Sequence, residues 1–155
     1  MKNTVLFLEN EKETLEFGKS LSALIPNDFI IYLSGELGTG KTTIVRGFLN
    51  GLGYTKAIKS PTYTLVESYE IQDKQIHHFD FYRITDTEEL ELIGIRDYFS
   101  KDSICFIEWP ERAQGFLPKP DLFCSLQMKN SGRHVILECC SKRSETCMKL
   151  LGSQS

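Results

Sequence analysis

The segment Gly35-Glu36-Leu37-Gly38-Thr39-Gly40-Lys41-Thr42 follows the pattern G-x-x-x-x-G-K-[ST], and each constrained residue type has a task around a string of phosphates. Glycines let backbone N–H groups close around phosphate oxygens, and the helix that must follow adds its positive N-terminal end. Gly38, Thr39 and Gly40 form that cradle. Lys41 is spaced to reach the β and γ phosphates, and the Thr42 hydroxyl to ligate Mg²⁺, a hard ion that takes oxygen ligands and keeps several waters. Thr43 opens the helix beside the α phosphate.

A triphosphate site also needs an acid opposite the loop, normally delivered by the end of a neighbouring strand. Two carboxylates qualify. Glu108 ends the apolar run Ile104-Cys105-Phe106-Ile107, on the edge where open α/β sheets place their ligands. Asp80 lies inside His78-Phe79-Asp80-Phe81-Tyr82-Arg83, where the plain alternative is an ion pair with Arg83 or a capping role. Carboxylates hard against apolar runs are rarely left unpaired.

The hydroxyls of Ser60-Pro61-Thr62 either sense the γ phosphate or belong to an ordinary Pro-fixed turn. Trp109 either stacks near the site or fills core. Arg133 either meets phosphate or is solvated. His78 reads as an imidazole satisfied in the core or behind a ligand, with His77 on the other face of its strand. The chain has no N-K-x-D segment, which favours adenine over guanine.

The elements that position these groups read as a P-loop α/β fold. Phe29 to Leu33 is an apolar strand before the loop, and Thr43 to Leu52 a helix with Ile44, Phe48 and Leu52 on one stripe. Asn10 to Ile25 predicts a first helix that covers the sheet, ended by Pro26-Asn27. Tyr63 to Ile71 and Gln75 to Phe81 predict a hairpin across Gln72-Asp73-Lys74, so the sheet is mixed. Thr85-Asp86-Thr87-Glu88 has the form of a capping box, predicting a helix that carries Leu90, Leu92 and Ile93 before Gly94. Asp121 to Met128 and His134 to Cys139 predict a second hairpin across Asn130-Ser131-Gly132. The expected architecture is one domain over residues 1–140, a mixed, mainly parallel sheet flanked by helices, with 141–155 a polar tail forming a loose helix.

Composition sets outer limits. The 155 residues are 41% hydrophobic, enough for one core. The absence of a basic start followed by a long apolar run, and of about 18 consecutive apolar residues, predicts a cytoplasmic protein without a membrane span. A net charge of -3 and a pI near 5.7 argue against gripping nucleic acid unaided. Five cysteines without a C-x-x-C pair read as reduced core thiols rather than a metal site built from His134, Cys139 and Cys140.

Taken in order, G-E-L-G-T-G-K-T-T, S-P-T-Y, H-F-D-F-Y-R, E-E-L-E-L-I-G and E-W-P-E resemble the TsaE family of bacterial ATPases in tRNA threonylcarbamoyladenosine synthesis, from about Thr4 to about Leu137. The resemblance implies ATP and Mg²⁺ as cofactors and a weak ATPase. It implies TsaD and TsaB as partners, which together modify adenosine 37 of tRNAs reading ANN codons, with tRNA met only through the complex. It further implies that Thr42 and Glu108 are Mg²⁺ ligands, that Asp80 is an acid near the γ phosphate with Trp109 beside it, and that Arg133, Glu11 and Thr14 are peripheral nucleotide contacts. Which of Asp80 and Glu108 orients the attacking water stays open. Tyr63 and Thr39 are slight departures, at positions where the family often has phenylalanine and alanine. Two other functions share the same loop and acids: a small-molecule kinase, and a binding module in which nucleotide orders a docking surface.

Overall fold

The computed structural model describes residues 3–153. The unbroken apolar runs form the middle of the sheet. β2 (Phe29–Ser34) and β5 (Ser103–Glu108) pair in parallel, and β5 is buried along its whole length. β4 (Lys74–Asp80) extends the parallel centre on one side and β6 (Leu122–Lys129) on the other. The flanks are antiparallel, with β3 (Val66–Ile71) on β4, β7 (Gly132–Cys139) on β6, and β1 (Asn3–Leu8) on β7. The full order is β1-β7-β6-β2-β5-β4-β3. Both expected hairpins are present. β1 has no counterpart in the sequence reading, because it is an edge strand whose mostly exposed residues carry no clear alternation.

Alternation along the strands separates two cores. Ile31, Leu33, Ile104 and Phe106 face α1 (Glu11–Ser22) and α2 (Lys41–Gly51), meeting Phe17, Leu21, Ile44 and Phe48. Ile30, Phe79, Cys105 and Ile107 face the other side, with Leu90 of α3 (Glu88–Leu92) and the 3-10 turns Ile95–Tyr98 and Pro110–Ala113. Phe48 meets Phe106 edge-on at 4.9 Å, a contact worth roughly 0.5–1.5 kcal/mol beyond its buried area. The two helices over the first core approach backbone to backbone. A methyl on Gly18 would lie 2.2 Å from the Ile44 carbonyl oxygen, and one on Gly47 would lie 2.1 Å from that of Leu15.

Three elements depart from the expectation. β3 begins at Val66 rather than Tyr63, because Leu65 takes a left-handed φ of 70° and its N–H closes a turn onto the Pro61 carbonyl. The capping box is shifted by one residue: Asp86 Oδ1 accepts the Glu88 N–H, and Glu89, not Glu88, reaches back to the Thr85 N–H. The short helix that results buries Leu90 but leaves Leu92 85% exposed, contrary to the apolar stripe read there. The polar tail is a docked helix, α4 (Lys142–Ser153), with residues 154 and 155 outside the described part. Its start is held by reciprocal bonds between Ser141 and Ser144, each backbone N–H donating to the other's hydroxyl at 3.2 Å. Arg143 ties it to the Asp28 carbonyl and to Asp121, and the buried Cys147 thiol donates to the Leu24 carbonyl.

Candidate functional site

The loop between β2 and α2 has the backbone its glycines allow. Gly40 caps α2 at φ 112°, with no side chain satisfying the first turn of the helix. A side chain could not replace its hydrogen, since a Cβ would lie 2.8 Å from Arg133 Nη1. The open N–H groups of that turn and the loop therefore point into a cleft of about 330 Å³. Such an arrangement is an anion site by construction.

Two buried cations serve that cleft. Lys41 Nζ donates to the Gly35 carbonyl at 2.5 Å, lies 3.9 Å from Glu108 Oε1 and sits 4.6 Å above the Trp109 ring. Arg133 is 8% exposed, donates from Nη1 to the Thr39 carbonyl at 3.2 Å, and leaves Nε without a partner. Among the described residues it forms no ion pair with a carboxylate. A buried guanidinium so placed calls for an anion from outside the chain.

The acids face these cations because of strand register. Asp80 of β4 stands directly opposite Glu108 of β5, so both side chains and that of His78 share the face next to α2. Glu108 Oε2 meets His78 Nε2 at 2.5 Å and Thr42 Oγ1 at 3.4 Å. The second distance is long for a hydrogen bond. It is close to the separation of about 2.9 Å between adjacent oxygens on an octahedral ion with Mg²⁺-like bond lengths. One carboxylate and one hydroxyl suit an ion that fills its remaining positions with water and phosphate.

Asp80 Oδ1 accepts the Tyr82 N–H at 3.0 Å. Burial raises its carboxyl above the ordinary range, the nearby Glu108 charge adds to this, and the Tyr82 bond opposes it. Asp80 makes no ion pair with Arg83; that guanidinium instead lies 4.4 Å over the Tyr63 ring. Asp80 is thus a buried, unusually basic carboxylate beside a phosphate-sized cleft.

Of the residues singled out from the sequence, Glu11, Gly38, Gly40, Lys41, Thr42, Thr43, Asp80, Glu108 and Arg133 line the cleft together, joined by Ser60 and Thr62. The others stand behind it. Thr14 is fully buried, spends its hydroxyl on the Asn10 carbonyl and lies against Gly40 with its methyl group. Thr39 bonds the Glu36 carbonyl, and Trp109 lines a neighbouring cavity on the far side of the loop, reaching the cleft only through Lys41. Glu11 is held by Arg46 at 3.3 Å. His78 is the residue the motif reading undervalued. Its spacing of two from Asp80 on a strand is the signal that both share one face.

Comparison with known proteins fits this arrangement. Residues 8–135 match a family described as "Threonylcarbamoyl adenosine biosynthesis protein TsaE". The chain belongs to the TsaE family. A TsaE relative from Haemophilus influenzae is 45% identical over 142 residues, spanning 88% of this chain and 90% of its own. One from Borreliella burgdorferi is 37% identical, spanning 86% and 98%. Both are named tRNA threonylcarbamoyladenosine biosynthesis protein TsaE. The crystal structure of Bacillus subtilis YdiB superposes with a TM-score of 0.84 at 25% identity, over 99% of this TsaE chain and 96% of YdiB. No helix among the described residues is long and apolar enough to cross a membrane.

Proposed function

We propose that this chain serves the synthesis of threonylcarbamoyladenosine in tRNA as an ATP-binding, weakly hydrolysing subunit that acts with TsaD and TsaB. The pathway comes from the printed names of its relatives and its family. The observation that carries the nucleotide reading is the cleft itself: two buried cations and an open helix N-terminus on one side, two buried carboxylates on the other.

The parts divide the work. Loop N–H groups, Lys41 and Arg133 hold the polyphosphate, and Lys41 must leave the Gly35 carbonyl to do so. Thr42 and Glu108 are the residues that would hold Mg²⁺. When bound, the ion neutralises phosphate charge that the two cations leave uncovered. Asp80, made more basic by burial and engaged on only one oxygen by the Tyr82 N–H, orients the attacking water. Glu108, already committed to Lys41, His78 and Thr42, is poorly placed for that role. The net charge of -3 fits contact with tRNA through partners rather than directly.

The deciding test is ATP hydrolysis by the purified chain, alone and with TsaD and TsaB added. Stimulation by the partners supports the reading. Brisk turnover only when a small metabolite accepts the γ phosphate would replace it with a kinase.

A further inference from the structure

We propose that His78 is a positioning residue for the metal-facing carboxylate, acting as a neutral imidazole whose Nε2–H locks Glu108 Oε2. This rests on the nucleotide and metal reading given above. His78 is fully buried in β4, and its only hydrogen-bond contact is Nε2 to Glu108 Oε2 at 2.5 Å. Nδ1 is buried and without a partner.

Those facts fix the proton. With the proton on Nδ1, the ring would bury an unsatisfied donor and turn a nitrogen lone pair toward a carboxylate lone pair. Imidazolium would also bury an unsatisfied N–H at Nδ1. Only the Nε2–H tautomer satisfies the donor and leaves nothing worse than an idle acceptor. The donor consumes one lone pair of Oε2. The remaining one is available toward Thr42 Oγ1 at 3.4 Å, and Oε1 toward Lys41 at 3.9 Å.

The bond matters because of what competes for Glu108. Lys41 attracts the carboxylate in the resting site and is called away when phosphate arrives. A carboxylate free to rotate would then have no fixed orientation for the ion. Phe106 stands opposite His78 in the ladder, so the imidazole is wedged in the sheet and cannot follow a moving partner. Outer hydrogen bonds of this kind typically alter metal affinity by about 10–100-fold.

The experiment measures ATP binding by calorimetry at a series of Mg²⁺ concentrations and in excess chelator, for the parent, His78→Leu and His78→Gln. Glutamine places an amide donor near the Nε2 position. His78→Leu is expected to raise the Mg²⁺ concentration for half-maximal enhancement by about 10–100-fold, with chelator-state ATP affinity within about twofold of the parent. His78→Gln recovers most of the loss. Unchanged Mg²⁺ dependence in a folded His78→Leu protein would overturn the proposal. So would equal impairment of both variants with and without metal, which marks His78 as mere packing. If leucine prevents folding, His78→Gln decides alone: near-parental Mg²⁺ dependence supports the donor role, and a loss equal to that of Glu108→Gln refutes it. A parent with no Mg²⁺-dependent ATP binding would remove the underlying reading, and this proposal with it.

Discussion

Replacing Lys41 tests the site at its centre, and the resting geometry sets the size of the effect. In the bound state the ammonium makes two charge-assisted contacts, to the β and γ phosphates, each worth about 1.5–3 kcal/mol. It surrenders one of similar kind, since Nζ is spent on the Gly35 carbonyl before ligand arrives. The difference is one contact, about 1.5–3 kcal/mol, or roughly 10–150-fold in Kd. The ion contact to Glu108, at 3.9 Å, is longer and shifts this only slightly. Lys41→Met is the cleaner variant because it keeps an apolar stem against Trp109. Calorimetric titration with ATP at fixed Mg²⁺, alongside a melting curve, reads both affinity and folding. A folded variant whose Kd lies within threefold of the parent would refute the assignment of Lys41 to the phosphates.

Asp80→Asn should reduce partner-stimulated hydrolysis by at least about 100-fold, the usual worth of a positioned base, while sparing ATP affinity. Normal turnover would reduce Asp80 to a structural acid. The same variant should melt higher than the parent at neutral pH. A carboxyl raised by burial holds its proton longer in the folded state than in the unfolded chain. Stability is therefore lost as pH rises through that interval and remains lost above it. The advantage of asparagine should vanish below the ordinary carboxylate pKa near 4, and a difference that persists there would contradict the cause given. Gly47→Ala should cost about 1–3 kcal/mol or more in urea unfolding through overpacking, because its Cβ would lie 2.1 Å from the Leu15 carbonyl; an unchanged midpoint would mean that α1 is not held against α2. Ser141→Ala should cost about 0.5–2 kcal/mol as a lost helix cap, read by the same denaturation, and no change would show that α4 does not depend on that cap.

What the residue pattern reveals tracks how local the cause is. The loop, β2, α2 and the two hairpins follow from short-range signals: glycines with lysine, apolar runs, and turn residues between β-branched segments. The paired carboxylates were legible because each abuts an apolar run. The His78 contact with Glu108 was not, since it spans residues 30 apart and depends on a register that only the folded sheet supplies. β1 stayed hidden for a related reason: its stability comes from pairing with β7, not from its own sequence. Leu92 misled because apolar spacing assumes a full helix, and α3 is five residues long. Trp109 was divided between site and core, and the fold gives it both neighbours. Its left-handed φ of 58° turns it to lie beneath Lys41 and against Tyr82.

The pairing of Asp80 with Glu108 across one rung of the ladder also governs how the chain tolerates changes in length. Because successive strand residues point to opposite faces, inserting or deleting a single residue within β4 or β5 would exchange His78, Asp80 and Glu108 for Phe79 and Ile107. The cleft would then be walled with hydrocarbon, and three polar groups would be driven into the second core. Length can vary in the turn at Gln72-Asp73 and in the connection between Phe81 and Asp102 without touching this alignment, so indels there are neutral to the site while a one-residue indel inside either strand abolishes it.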